Sequence, residues 1–374
     1  MKYYLIAGER SGDLHGANLM KGIQAHDPSA EFRAWGGDLM QQQGATLVTH
    51  YTDMAFMGFL EVVKNLPTIL GFLKKCKTDV LEYQPDALVL IDYPGFNLRM
   101  AAFARKRGIK VLYYISPKVW AWNQKRALKI KATVDRMFVI FPFEVDFYKK
   151  YGYEVTYVGN PLMDAIRDFS PSPAFRSTHH LENKKIIALL PGSRRQEVTG
   201  TLDTMLSIKA AFPDYEFVIA AVKSLPGSLY EKYQNIPQVT VVFEATYDLL
   251  AVAEAALVTS GTATLETALL SVPEVVCYRT SGVSYAIAKK LIRVPYISLV
   301  NLILNKEAVR ELIQENFSTQ NLITELKAIL PGGAKRTAML DEFRQLQARV
   351  GEAGASQQAG AAMVRYLHEV GGKA

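Results

Sequence analysis

The chain has 374 residues, more than one compact core usually covers, and its 49% hydrophobic and 21% charged residues are an ordinary balance for two globular domains. A formal charge of +7 is too small a surplus over this length for a nucleic-acid binder, but it suits anionic ligands or an anionic membrane surface. Two cysteines, Cys76 and Cys277, exclude a disulfide framework or a cysteine metal site, and they point to a reducing compartment.

The chain opens on Met1-Lys2 and the apolar run Tyr3–Ala7 before a charged turn, too short for a signal peptide. No uncharged run reaches the ~18 residues of a membrane span, so a cytoplasmic protein is expected. Short β-rich runs then alternate with helical patterns. The runs are Tyr3–Ala7, Phe32–Trp35, Ala87–Ile91, Val111–Ile115, Met137–Phe141 and Val155–Val158. Several are apolar without alternation, as strands buried on both faces should be. Helices are expected between them, among others over Leu14–His26 and over Asn97–Arg107, the latter closed by Gly108. This rhythm predicts an α/β parallel sheet over residues 1–165. Residues 166–182, with the Pro/Ser cluster Phe169–Pro173, read as a linker. A second set of strands follows over residues 183–330: Ile186–Leu190, Glu216–Ala221, Val239–Phe243, Ala256–Thr259 and Glu274–Tyr278. Past residue 280 the pattern reads as mainly helical, and the final helices over 331–374 could return to the first domain. Two doubly wound, Rossmann-like domains in tandem are therefore expected. Ligands of such sheets bind at the carboxyl ends of the strands, so a cleft holding two substrates suits group transfer.

The first strand-to-helix turn, "AGERSGDLHG" over Ala7–Gly16, carries the spacing G-x3-G-x3-G. That is neither the dinucleotide fingerprint nor the phosphate loop, which argues against a dinucleotide dehydrogenase. Leu88–Asn97 (LVLIDYPGFN) is a buried strand ending in Asp92. A carboxylate between apolar walls has a pKa raised toward the range of a general base; otherwise Asp92 merely caps the next turn. Trp120 and Trp122, in Tyr113–Trp122 (YYISPKVWAW), read either as a cleft wall or as core. The segment Phe56–Lys75 is apolar on more than one helical face and ends in Lys74, Lys75 and Lys77. Phe56, Met57, Phe59, Leu60, Val63, Leu66, Leu70 and Leu73 then touch acyl chains or a membrane surface, or else the helix is buried between layers.

In the second half, Leu189–Glu197 (LLPGSRRQE) ends a strand. Gly192 and Ser193 would turn the chain and offer backbone N–H groups, and Arg194 a forked phosphate donor. Thr259–Glu266 (TSGTATLE) ends another strand, and Ser260, Gly261 and Thr262 would open a helix whose N-terminus favours a diphosphate. Glu266, one turn in, either accepts ribose hydroxyls or is an ordinary first-turn acid. No Asp-x-Asp pair ends a strand and no His/Cys cluster has ligand spacing, so neither a metal nor another cofactor is expected.

Together these segments resemble the lipid-A-disaccharide synthases, an inverting glycosyltransferase family of the two-domain GT-B fold. The similarity runs through nearly the whole chain and rests on "AGERSGD", "MGFLEVV", "IDYPGFN", "YYISPKVWAWNQKR", "LLPGSRRQEV", "SGTATLE" and "SLVNLI…VRELIQE". The resemblance implies transfer from UDP-2,3-diacylglucosamine to 2,3-diacylglucosamine 1-phosphate, giving a β-1,6-linked disaccharide 1-phosphate and UDP. It makes Asp92 the key aspartate. It gives the donor to Gly192, Ser193, Arg194, Glu197, Ser260, Gly261, Thr262 and Glu266, with Asn301 and Glu311 as polar positions nearby. Acceptor contacts are expected from Glu9, Ser11, Gly12 and Asp13 in the first turn, and from Asn97, Ser116 and Trp120. Gly95 stands where many members carry a second acid, Val300 where a proline is usual, and Arg10 where a small residue is. The implied partners are the two acylated sugars and a membrane surface, with peripheral attachment to the inner face of the inner membrane, a homodimer left open, and no nucleic acid. The alternative within the fold is another UDP-sugar enzyme, such as a 2-epimerase; the alternative outside catalysis is a membrane-bound sensor of UDP-sugar.

Overall fold

The computed structural model describes residues 1–54, 66–282, 285, 289 and 294–371. The chain divides into two units: Met1–Asp164 with the segment from Glu352 on, and Ala165–Gly351.

The first unit is built on a parallel sheet of β1 (Lys2–Ala7), β2 (Glu31–Gly36), β3 (Thr46–His50), β4 (Ala87–Ile91), β5 (Lys110–Tyr114), β6 (Arg136–Val139) and β7 (Thr156–Tyr157). Their order is β3-β2-β1-β4-β5-β6-β7. The central strands are the uninterrupted apolar runs, and β4 is buried along its whole length, as helices on both faces of a parallel sheet require. β3 was not expected: at the sheet edge, Thr46, Thr49 and His50 dilute the apolar signal. The order reverses between β1 and β4, and at that switch point the loops after the two strands diverge and leave a crevice.

The last helix, Ala355–Gly371, packs on Arg10–Gln24 within this unit, and its Ala359, Met363, Val364 and Leu367 join the core. The two backbones approach so closely that a Cβ on Gly22 would lie 2.5 Å from the Ser356 carbonyl oxygen, and one on Gly360 2.4 Å from the Gly22 carbonyl carbon. The helix Leu66–Tyr83 is fastened to the sheet through buried Asp79, which accepts from Tyr4 Oη and from Arg33 Nε at 2.9 Å.

The second unit carries β8 (Lys185–Leu190), β9 (Tyr215–Ala221), β10 (Val239–Phe243), β11 (Ala255–Thr259), β12 (Glu274–Tyr278) and β13 (Arg310–Ile313). All are parallel, in the order β10-β9-β8-β11-β12-β13, with the switch point between β8 and β11. β13 adds a strand to the stretch past residue 280 that reads as mainly helical; its polar sequence RELI suits an edge strand. The stretch 166–182 is not a free linker. Phe175 and Leu181 are buried in this unit's core, and the Ser172 N–H donates to Asp248 at 2.6 Å. Residues 331–374 are not one C-terminal element either. Helix Arg336–Val350 stays with the second unit, where Arg336 donates to the carbonyls of Glu254 and Ile329. No helix among the described residues is long and apolar enough to cross a membrane.

Candidate active site

In the first unit, the switch point is a knot of strained backbone. Asp92 (φ 42°), Tyr93 (φ 47°) and the β-branched Ile115 (φ 64°) all take the left-handed conformation at the ends of β4 and β5. Such strain persists only where the surroundings impose it, and it gathers at functional sites. Here buried Asn97 holds the Asp92 part of it. Its side-chain amide donates to the carbonyls of Asp92 at 2.8 Å, Ile91 at 3.2 Å and Ile6 at 3.3 Å, tying the ends of β1 and β4 together. Tyr113 Oη donates to the same Asp92 carbonyl. Asn97 is thus a brace beneath the site and not the acceptor contact expected of it, because its donors are used on backbone.

The Asp92 side chain is left partly exposed above this brace. Burial pushes its carboxyl up to about 6; the Glu9 charge adds to the rise, while Lys118 and the Tyr93 N–H oppose it. Glu9 and Lys118, whose charges act on it, are exposed, as is Ser11 in the first turn. Lys118 was not singled out from the sequence. The signal was its place on the loop after β5, the strand that pairs with β4 next to Asp92.

The opening glycines have specific tasks. A Cβ on Gly8 would sit 2.4 Å from the Tyr93 ring, and one on buried Gly12 3.1 Å from the Ala7 Cβ. The first keeps Tyr93 against the turn, and the second lets helix Arg10–Gln24 lie close on β1. Asp13 departs from its expected role. It is 3% exposed, and its carboxylate accepts the N–H groups of Gly37 at 2.8 Å, Leu39 at 3.1 Å and Met40 at 3.1 Å. It caps the helix Asp38–Gln42 from the interior, so its burial and not its chemistry keeps it from a sugar. Ser116 and Trp120 are also turned inward. The Ser116 hydroxyl pairs with Tyr148 Oη at 2.7 Å, and Trp120 packs edge-on against Phe143 with ring centres 4.9 Å apart. Beneath them Glu144 is buried and accepts the Phe141 N–H at 3.0 Å; burial pushes its carboxyl up to about 8. Trp122, by contrast, is 45% exposed.

Of the expected acyl-contact set, Leu70 is exposed and Leu73 is buried in the interior, so Leu73 is packing. Phe56, Met57, Phe59, Leu60 and Val63, and the side chain of Leu66, lie outside the described residues.

In the second unit, the loops after β8 and β11 flank the switch point. Gly192 takes φ +100°, and a Cβ there would fall 2.3 Å from Glu197 Oε2. Glu197 accepts the N–H groups of Ser193 at 3.1 Å and Arg194 at 3.2 Å, and it pairs with the Arg194 guanidinium at 3.0 Å. Glu197 therefore shapes the loop rather than facing a ligand, and of the N–H groups expected for phosphate that of Ser193 is already engaged. The Arg194 side chain remains 71% exposed in that pair. Exposed pairs are worth about 0–1 kcal/mol, so an anion can recruit this guanidinium.

The loop after β11 is open. Gly261 and Thr262 are exposed at the start of helix Thr262–Leu269, whose first N–H groups no helix can satisfy internally. The Ser260 hydroxyl donates to the Ile297 carbonyl at 3.0 Å. That segment is clamped in turn by Glu311, which accepts the N–H groups of Ile297 at 3.0 Å and Ser298 at 2.9 Å and the Asn301 amide at 2.9 Å. Asn301 is fully buried, and its remaining bonds go to Ala308 and Val309. Both residues shape the Ser260 loop from behind, and buried Asn301 has its amide fully used within the fold, contrary to the donor contact expected of it. Glu266 is raised by burial and accepts from Tyr247 Oη at 2.7 Å. Tyr247 also borders a cavity of about 340 Å³ lined with Phe169, Val222, Glu244 and Asp248, at the ends of β9 and β10.

Two Rossmann-ordered parallel sheets, each with a switch point in its strand order, define the GT-B fold class. The solved UDP-GlcNAc 2-epimerase from Neisseria meningitidis bound to UDP-GlcNAc shares this fold, with TM-score 0.67 at 14% identity over 99% of this chain and 100% of that one. The family model for lipid-A-disaccharide synthetase matches residues 3–363. Lipid-A-disaccharide synthase from Trichlorobacter lovleyi is 38% identical over 95% of this chain and 94% of its own, and the one from Syntrophus aciditrophicus is 39% identical over 95% of each. The chain belongs to the lipid-A-disaccharide synthetase family and is a glycosyltransferase of lipid A biosynthesis.

Proposed function

We propose that the enzyme transfers diacylglucosamine from its UDP carrier to the 6-hydroxyl of diacylglucosamine 1-phosphate, with Asp92 as general base. The observation that carries this reading is a carboxylate at the first unit's switch point whose pKa of about 6 lets it be ionised at neutral pH yet basic enough to take a proton. As the acceptor's proton passes to Asp92, its oxygen attacks the donor's anomeric carbon, the bond from that carbon to the diphosphate breaks, and the centre inverts. Glu9 and Ser11 are assigned to acceptor hydroxyls. In the second unit, the open first turn of helix Thr262–Leu269 takes the diphosphate, and Arg194, released from Glu197, adds its charge as UDP departs. The free oxygen of Glu266 and the cavity beside Tyr247 are assigned to the nucleoside. The membrane partner of an acylated acceptor is the inner leaflet, approached peripherally.

UDP release measured with both acylated sugars tests the reading. Release that requires the acceptor, and that falls by orders of magnitude with a deacylated donor, is the expected result. Release independent of acceptor, or an epimerised sugar as product, overturns it.

A further inference from the structure

The site loop after β5 continues into a surface that the transfer chemistry does not use. Trp122 is the exposed one of the chain's three tryptophans; Trp35 and Trp120 are buried. The guanidinium of Arg126 lies 5.1 Å from the Trp122 ring centre. The helix Arg126–Thr133 then buries Ala127 and Ile130 and turns Leu128 and Lys129 outward, beside Lys125. Leu128 is 55% exposed and lies one helical turn from exposed Lys125, so apolar and cationic side chains share this face. From Lys118 through Lys131 the chain carries Lys118, Lys125, Arg126, Lys129 and Lys131 and no Asp or Glu.

We propose that the face formed by Trp122, Lys125, Leu128 and Lys129 seats the first unit on an anionic bilayer. The occupant follows from the chemistry. A tryptophan and a leucine flanked by long cationic side chains match the interfacial zone of a membrane, where indole and alkyl groups enter below the headgroups and lysines reach back to lipid phosphates. This assignment rests on the reading of the acceptor as a lipid, and it adds the surface that holds the enzyme where that lipid lies. The face also stands four residues from Lys118, so docking here holds the Asp92 crevice at the membrane.

The test uses the full chain and vesicles of phosphatidylethanolamine with phosphatidylglycerol, against vesicles of phosphatidylcholine alone. Flotation gives the partition, and tryptophan emission reports Trp122. Expected are partition to the anionic vesicles, a blue shift absent in Trp122→Phe, and little binding to phosphatidylcholine. Lys125→Gln with Lys129→Gln lowers partition about thirtyfold at low salt, from roughly a fivefold contribution per cation. Trp122→Ser with Leu128→Ser lowers it as well. Acceptor-dependent UDP release on detergent-dispersed sugars stays at the parent level in both variants, which shows that they are folded and separates this surface from the transfer reaction. Parent-level partition in both variants, equal binding to both vesicle types, or an unshifted emission on the anionic vesicles overturns the proposal.

Discussion

Asp92→Asn tests the chemistry most directly, because the change is nearly silent for the fold. Asparagine tolerates the left-handed backbone that Asp92 adopts at φ 42°, and the bonds from Asn97 and Tyr113 fall on the main-chain carbonyl, which the variant keeps. What is lost is the proton acceptor. General-base catalysis contributes about 10²–10⁴ in rate, so turnover should fall by that factor while UDP affinity is unchanged. The parent enzyme adds a second signature. With a carboxyl titrating at about 6, activity is near its plateau at pH 8 and falls about tenfold per unit below pH 6, as the base becomes protonated. At pH 5 roughly a tenth of the plateau remains, by the same titration. The assay is UDP release at saturating sugars across pH 5–9, with UDP binding measured separately. In the variant the limb near pH 6 should disappear. Turnover within tenfold of the parent, or an unchanged acid limb in Asp92→Asn, would remove Asp92 from the role.

Three further outcomes follow from particular contacts. Gly22→Ala drives a Cβ to 2.5 Å from the Ser356 carbonyl oxygen, which is backbone and cannot swing away, so a loss of about 1–3 kcal/mol is expected in denaturant unfolding. Glu274 is fully buried, and neither of its oxygens has a hydrogen-bond partner; burial first, and the Glu311 charge second, raise its carboxyl. Its proton is held in the fold and released on unfolding, so its contribution is fully present below about pH 4.5 and is lost as pH rises. Glu274→Met should therefore raise Tm more at pH 8 than at pH 5, and an equal shift at both would contradict the buried-acid reading. At Gly95 a Cβ would meet nothing within 4 Å, in the first turn of helix Pro94–Arg105. Gly95→Asp should stabilise by roughly 1 kcal/mol through helix propensity and the helix dipole, visible as a higher Tm; a lower Tm would show that the position is constrained.

The architecture was readable because a parallel sheet buried on both faces leaves continuous apolar runs, and these mark the strands that place Asp92 and Ser260. The edge strands β3 and β13 escaped because one side of an edge strand is wet and its sequence need not be apolar. The site residues separated along another line. Asp92, Gly192, Gly261 and Thr262 stand at the strand ends and helix start where the sequence puts them, because strand ends and helix starts are local events. Asp13, Asn97, Glu197, Asn301 and Glu311 have the same polar chemistry as ligand contacts, yet the fold uses each of them on backbone groups. Whether a carboxylate faces a substrate or an N–H depends on loops far away in sequence. Asp13 meets Gly37, Leu39 and Met40 only because β2 lies beside β1. Lys118 and Tyr247 were missed for the converse reason, since nothing local marks a lysine or tyrosine as facing an acid on another element.

The return of the final helix to the first unit makes that unit discontinuous. Residues 165–351 can reach their fold from one unbroken segment, whereas helix Arg10–Gln24 waits for Ala355–Gly371, more than three hundred residues later in synthesis, before the face that carries Gly22 is covered. During translation the part of the protein made first is therefore completed last, with an apolar seam open to chaperones or to a neighbouring chain until then. A deletion that removed the final helix would be felt at the amino end, where it uncovers Gly22 and Ile23 of helix Arg10–Gln24.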